Sequence, residues 1–277
     1  MTLIRVGHSP DPDDAFMFCA TAHRRIDMGD YQFEHVMEDI QTLNEWAFEK
    51  KLEVTAVSLH AYAHLADDYA LLAAGASLGQ GYGPIFVTRP GVDAEEAFAG
   101  PVAVPGELTT AFLVARLYAG DFPYKVVPFD QILETVRSGQ ASAGLVIHEG
   151  QLTYADEGLE LLVDLGKWWQ EQTQLPLPLG VTIVQRSLGP ERIAQVADIL
   201  DRSIRYGLEH RDEALDYALQ WGRGLDKDTC DRFVEMYVND TTLDFGQAGR
   251  AAVRELFSRG HAAGIIPKSV EVDFVTA

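Results

Sequence analysis

The chain has 277 residues, 47% of them apolar, which is enough for a sizeable core in one large domain or two lobes. Its 42 acidic side chains outweigh 22 basic ones, for a formal net charge of -20. That balance excludes the basic face that nucleic acid or an anionic membrane requires, and it leaves any anionic ligand to be held by local donors. Cys19 and Cys230 both fall in amphipathic helical stretches, so reduced thiols and a cytoplasmic setting are expected. The opening MTLIRVGHSPDPDD reads directly as a strand and not as a leader. No apolar run reaches the ~18 residues of a membrane span.

In chain order, LIRVGHS is a strand and DAFMFCATAHRR a helix. YQFEHVME and IQTLNEWAFEKK repeat the pair, as do LEVTAVS and HAYAHLADDYALL. Strands alternating with helical patterns predict a parallel sheet with right-handed crossovers. A second such unit follows: GPVAVPGE, LTTAFLVARLYAG, YKVVPFD, QILETVRSGQ and ASAGLVIHE. Two extended runs flank it, GPIFVTRPG (83–91) and PLGVTIVQRSLG (178–189), and these read as strands crossing between lobes. The rest is helical, over 190–222, 227–238 and 247–264.

The expected fold is therefore α/β, of the type II periplasmic-binding-protein kind, with two α/β lobes joined by two crossover strands. Residues 1–88 and 184–277 would form the first lobe and 89–183 the second. A ligand in such a fold sits between the lobes, near the C-terminal ends of strands.

Several side chains fall at those ends. Ser58 lies between a strand and a helix, where it is either a helix cap or a ligand hydroxyl at a helix N-terminus. Thr109 and Thr110 repeat the arrangement after Gly106. His8 closes the first strand and is a candidate for the cleft lining. Trp168, beside Trp169, is a candidate wall for a flat ligand. Asp11, Asp13 and Asp14 match no cation-binding loop and read as acids at a helix start. His60 and His64 have the i, i+4 spacing of a zinc pair, but no HExxH surrounds them and no third ligand is apparent. No nucleotide-binding or acyl-enzyme motif is present. His148 ends the strand in GLVIHE, and two readings are open for it. It is either a histidine satisfied at a strand end or a base delivered into the cleft, for which an ordinary imidazole pKa of ~6.5 is suited.

The ordered set SPDPDDAFMF, EDIQTLN, VPGELTTAF, IHEGQLTY, VDLGKWWQEQTQLPLPLG and YVNDTTLDFG spans essentially the whole chain. It resembles the 1,4-dihydroxy-6-naphthoate synthase family of the futalosine route to menaquinone. The resemblance implies a lyase that converts cyclic dehypoxanthine futalosine into 1,4-dihydroxy-6-naphthoate and releases a sugar-derived fragment. It also implies a small-molecule substrate, an aromatic carboxylate with a sugar-derived ring, and no metal or organic cofactor. The family's general base matches His148, and its substrate-contacting segments match Ala56, Val57 and Ser58 and the Thr109–Thr110 pair. Asn44, in EDIQTLN, is a further lining candidate. The family's first loop reads SPCPND, whereas Asp11 and Asp13 stand here in place of the Cys and Asn. Two alternatives remain: chorismate dehydratase, which shares the architecture but not the IHE histidine and WW…LPLPLG, and a non-catalytic solute-binding protein.

Overall fold

The computed structural model describes residues 1–222 and 224–276; Arg223 and Ala277, both within the expected first lobe, lie outside the described residues. The strands are β1 Thr2–His8, β2 Tyr31–Met37, β3 Val54–Ser58, β4 Tyr69–Leu72, β5 Ser77–Gly79, β6 Ile85–Thr88, β7 Val102–Val104, β8 Tyr124–Val126, β9 Ala143–Val146, β10 Glu160–Asp164, β11 Leu177–Gln185 and β12 Phe274–Val275. The helices are α1 Pro12–Ala22, α2 Ile40–Phe48, α3 Leu59–Leu65, α4 Ala94–Ala99, α5 Thr110–Ala119, α6 Ile132–Arg137, α7 Gly150–Thr153, α8 Leu165–Thr173, α9 Pro190–Glu209, α10 Arg211–Ala218, α11 Lys227–Tyr237, α12 Asp240–Leu243 and α13 Gly246–Ala262.

Two sheets organise the molecule. The first runs β12-β4-β11-β3-β1-β2, with β5 paired to β11, and the second runs β10-β6-β9-β7-β8. β1, β2 and β3 are parallel, as their helical crossovers require, and β11 returns antiparallel between β3 and β4. β3 reads VTAVS and is buried throughout, as expected of a strand covered on both faces. On one face of the first sheet, Phe16 and Phe18 of α1 pack with Leu200 and Ile204 of α9 and Val234 of α11. A second core joins Tyr62 of α3 and Phe257 of α13 to Leu113 of α5 and Trp169 of α8, so it runs continuously from the first sheet to the second. A third, with Val87, Val146, Ile132 and Val136, fills the far face of the second sheet beneath α6. Among the described residues no helix is long and apolar enough to cross a membrane.

Three sequence expectations change. The helix expected over 60–72 ends at Leu65, and Tyr69–Leu72 is a strand between β11 and β12. All four of its residues are buried, and an apolar run without a period does not distinguish a central strand from a core helix. The single helix expected over 190–222 breaks at His210, whose backbone leaves the helical region (φ -118, ψ 49) while its ring stacks on Tyr206. The strand read as a crossing at 83–91 lies within the second sheet, because β6 pairs with both β9 and β10. We propose that the lobe division falls before β6 and before β11. A division at 88/89 and 183/184 would separate β6 from its own sheet and most of β11 from β3.

The first crossing is tightly seated. A Cβ on Gly166, at the start of α8, would overlap the Tyr82 carbonyl, and a Cβ on Gly83 would lie 3.1 Å from the Gly166 Cα. At Gly166 the three nearest atoms are all backbone, with no flexible side chain among them to give way. Gly166→Ala is therefore expected to destabilise the protein by about 1–3 kcal/mol, as overpacking does. Denaturant unfolding checks this; an unchanged midpoint would mean that the crossing can shift freely.

Candidate active site

A cavity lies between the two sheets. Ala56 and Ser58 reach it from the end of β3, Thr109 to Ala111 from the start of α5, and Leu179 and Gly180 from β11. Ser9, Asp11, Asp13 and Asp14 come from the β1–α1 turn, Ile147 and Gln151 from the segment after β9, and Phe233 and Tyr237 from α11. Its empty space, open solvent at the mouth included, is about 760 Å³.

Hydrogen bonding sorts the three hydroxyls at the α5 side. Thr109 Oγ1 donates to the Gly106 carbonyl and accepts from the Phe112 N–H at 3.1 Å, so it is a helix cap. Thr110 Oγ1 donates to the Leu179 carbonyl at 2.6 Å and receives the His60 N–H at 3.4 Å, which ties α5 to β11 and α3. Ser58 is different. Asn44 accepts the Ser58 backbone N–H at 2.8 Å and donates its amide to Ser58 Oγ at 3.2 Å. With Oγ already an acceptor, the Ser58 proton is left to donate into the cavity. The Thr110 and Ala111 backbone N–H groups open the same wall. They are early N–H groups of a helix, which have no partner within the helix itself. This end suits a carboxylate held by neutral donors.

The α1 wall is of opposite character. Asp11, Asp13 and Asp14 face the cavity, and among the described residues none of the wall is basic. Asp14 accepts the Ser9 N–H at 2.7 Å, yet burial and Asp11 still raise its pKa to about 6. Asp13 is raised well above the usual carboxylate range by burial first, then by the charges of Asp14 and Asp11. Across from them the Tyr237 hydroxyl donates to Gln151 Oε1 at 3.0 Å, joining α11 to α7 across the cleft.

The structure thus brings Ala56, Ser58, Thr109 and Thr110 to one wall and separates the other candidates from it. Val57 points to the opposite side of β3, into the core, because strand side chains alternate. Asn44 is fully buried behind Ser58 and acts on the cavity through it. Trp168 packs edge-on against Tyr118 at 5.5 Å, away from the cavity. His8 is fully buried below the wall, stacked on Phe18, with Nδ1 donating to the Ser9 carbonyl at 3.0 Å. Its Nε2 must then accept from His35 Nδ1 at 3.3 Å, and burial lowers the two rings to about 4 and about 3. His148 is buried beside the cavity and is not part of its wall: Ile147 and Gln151 face the space while the His148 ring lies against Gly150 and meets Phe129 edge-on at 5.4 Å. Gln151, Tyr237 and Phe233 were not expected in the site. Two of them sit within IHEGQLTY and YVNDTTLDFG, but nothing local in the sequence carries α11 to the cleft.

Comparison with known proteins settles the family. The profile of the menaquinone biosynthesis family matches residues 4–262. The chain belongs to that family. A 1,4-dihydroxy-6-naphthoate synthase of Thermus thermophilus is 42% identical over 275 residues, covering 99% of this chain and 100% of the relative. A Streptomyces coelicolor protein of the same name is 37% identical over 271 residues, 95% of each. A crystal structure of an Archaeoglobus fulgidus protein superposes with a TM-score of 0.90 at 45% identity, over 95% of this chain and 98% of that one. The alkanesulfonate-binding protein SsuA of Xanthomonas axonopodis superposes at 0.71 with 12% identity, covering 98% of this chain and 96% of that chain, which places the family on the periplasmic-binding-protein fold.

The acid wall makes a prediction about stability. A carboxyl whose pKa is raised on folding favours the folded state fully only below its unfolded pKa of ~3.9, and that contribution is lost as pH rises through the folded value. Asp13→Asn removes the ionisable group. The variant is expected to be more stable than the parent at pH 7, with the difference vanishing by about pH 4. Urea unfolding at the two values checks it; an equal offset at both would mean that Asp13 ionises normally.

Proposed function

We propose that the chain is a carbon–carbon lyase that converts cyclic dehypoxanthine futalosine into 1,4-dihydroxy-6-naphthoate for menaquinone synthesis. The observation that carries this is the cavity itself. It joins a carboxylate-accepting end, built on Ser58 and the start of α5, to a polar wall lined by acids, in a chain similar over its full length to two synthases. An aromatic carboxylate would bind with its charge on the Ser58 and α5 donors. A base would then take a proton so that a carbon–carbon bond breaks, and formation of the aromatic naphthalene diol draws the reaction forward.

His148 is the base in this reading. It follows the Ile147 wall residue at the end of β9, and the glycine at 150 leaves room for its ring. To reach the substrate the ring must come past Ile147 and Gln151 as the cleft adjusts. One observation favours a second candidate: Asp14 is on the wall, with a pKa of about 6, in the range of a useful base.

Two variants separate them. His148→Asn keeps hydrogen-bonding capacity but cannot take up a proton near neutral pH, and its turnover is expected to fall by ~10²–10⁴ with substrate binding retained. Asp14→Asn is expected to lose much less. Product formation followed by mass spectrometry, with affinity measured on the same samples, checks both. Near-normal turnover of the first variant and collapse of the second would transfer the base to Asp14.

A further inference from the structure

We propose that Asp13, Gln151 and Tyr237 form a second recognition subsite that holds the hydroxyl-bearing, sugar-derived part of the substrate, apart from the Ser58 and α5 donors that hold its carboxylate. This rests on the synthase reading and adds the orientation of the substrate within the cavity.

The argument begins with Gln151. It is only 9% exposed and lines the cavity. Its Oε1 is occupied by the Tyr237 hydroxyl, so the amide oxygen is engaged and the NH₂ is the part left to bond a ligand. That nitrogen makes no hydrogen bond to the described residues. A buried cavity-lining amide whose NH₂ has no such bond is suited to recognise a ligand there. Tyr237, itself buried, has spent its proton on Gln151 and keeps oxygen lone pairs as acceptors. Asp13 stands near enough for its charge to act on Tyr237. Its carboxyl lies on the cavity wall, and burial with the neighbouring Asp14 and Asp11 raises its proton affinity, so it can meet a ligand hydroxyl as donor or acceptor.

The combination selects a chemistry. The carboxyls of Asp13 and Asp14 beside this space disfavour the anionic end of a ligand. A cation would meet the Gln151 amide protons. Hydroxyl groups, each both donor and acceptor, match an amide N–H, a phenolic oxygen and a carboxylic acid together. The substrate therefore enters with its carboxylate on Ser58 and its hydroxylated remnant between α1, α7 and α11. Tyr237 acts here through Gln151, as a positioning residue.

The test uses two probes. Cyclic dehypoxanthine futalosine carries both parts, whereas 1,4-dihydroxy-6-naphthoate keeps the carboxylate and lacks the sugar-derived part. Asp13→Ala, Gln151→Ala and the conservative Tyr237→Phe are compared with the parent chain, with thermal unfolding confirming that each is folded. The KM for the futalosine compound is expected to rise about tenfold in Gln151→Ala and several-fold in the other two, with kcat largely kept, the pattern of lost uniform binding. Calorimetric affinity for the naphthoate is expected to stay within about twofold of the parent. Tyr237→Phe should add nothing further to Gln151→Ala. Equal weakening of both probes, no change in KM, or a loss confined to kcat would overturn the subsite. A parent chain that binds the naphthoate but does not turn over the futalosine compound would overturn the synthase reading itself, an outcome visible before any variant is compared.

Discussion

β11 enters the first sheet between β3 and β4 and places Gly180 opposite Ser58. The cavity follows from that pairing. The Leu179 carbonyl, one residue earlier, is where Thr110 anchors α5, so a single strand sets the distance between the Ser58 hydroxyl and the α5 N–H groups. A Cβ at Gly180 would touch only the Val57 carbonyl, at 3.9 Å. The glycine is therefore not required by crowding; it leaves the floor beneath a ligand open. Asn44 completes the arrangement from behind by holding both the backbone and the hydroxyl of Ser58. A precise donor is obtained here from a buried amide and not from a charged group, which suits a chain whose net charge is -20.

The electrostatics of the opposite wall follow from what lies beneath it. The nearest imidazoles, His8 and His35, are buried and hydrogen-bonded in a way that keeps both neutral. They give the acids no counter-charge. Asp13 and Asp14 sit in a low-dielectric setting beside other acids, and their proton affinity rises. The cost is borne by the folded state. The result is a polar wall on which Asp13 and Asp14 hold their protons to higher pH than ordinary carboxylates do.

The two-lobed α/β architecture was legible because strand and helix periodicities alternate cleanly through both units, and the motif set pointed to the family. The strand-end hydroxyls could be found because an open sheet binds ligands at that edge. Other features were beyond local pattern. Val57 was assigned with its neighbours as one segment, but alternation along β3 turns its side chain into the core. His148 was placed by its strand end, while the side-chain direction after β9 is decided by the turn into α7. β4 was hidden because YALL, buried on every side, carries no period. Gln151 and Tyr237 meet only because α11 folds back from a point 86 residues later in the chain, a separation over which sequence spacing carries no information.

That same β11 gives the molecule an order of assembly. The strands of the second sheet come from one continuous stretch, β6 to β10, whereas the first sheet needs β1 to β5, then β11, and finally β12 near the C-terminus. As a ribosome extrudes the chain, the second sheet has all its strands before the first has its central one. Until β11 emerges, β3 and β4 are two unpaired edges, each offering backbone donors and acceptors to any other extended segment. The nascent protein is thus most exposed to mispairing while roughly the middle third of the chain is being made, and the strand that ends this exposure is the one that closes the floor of the cavity.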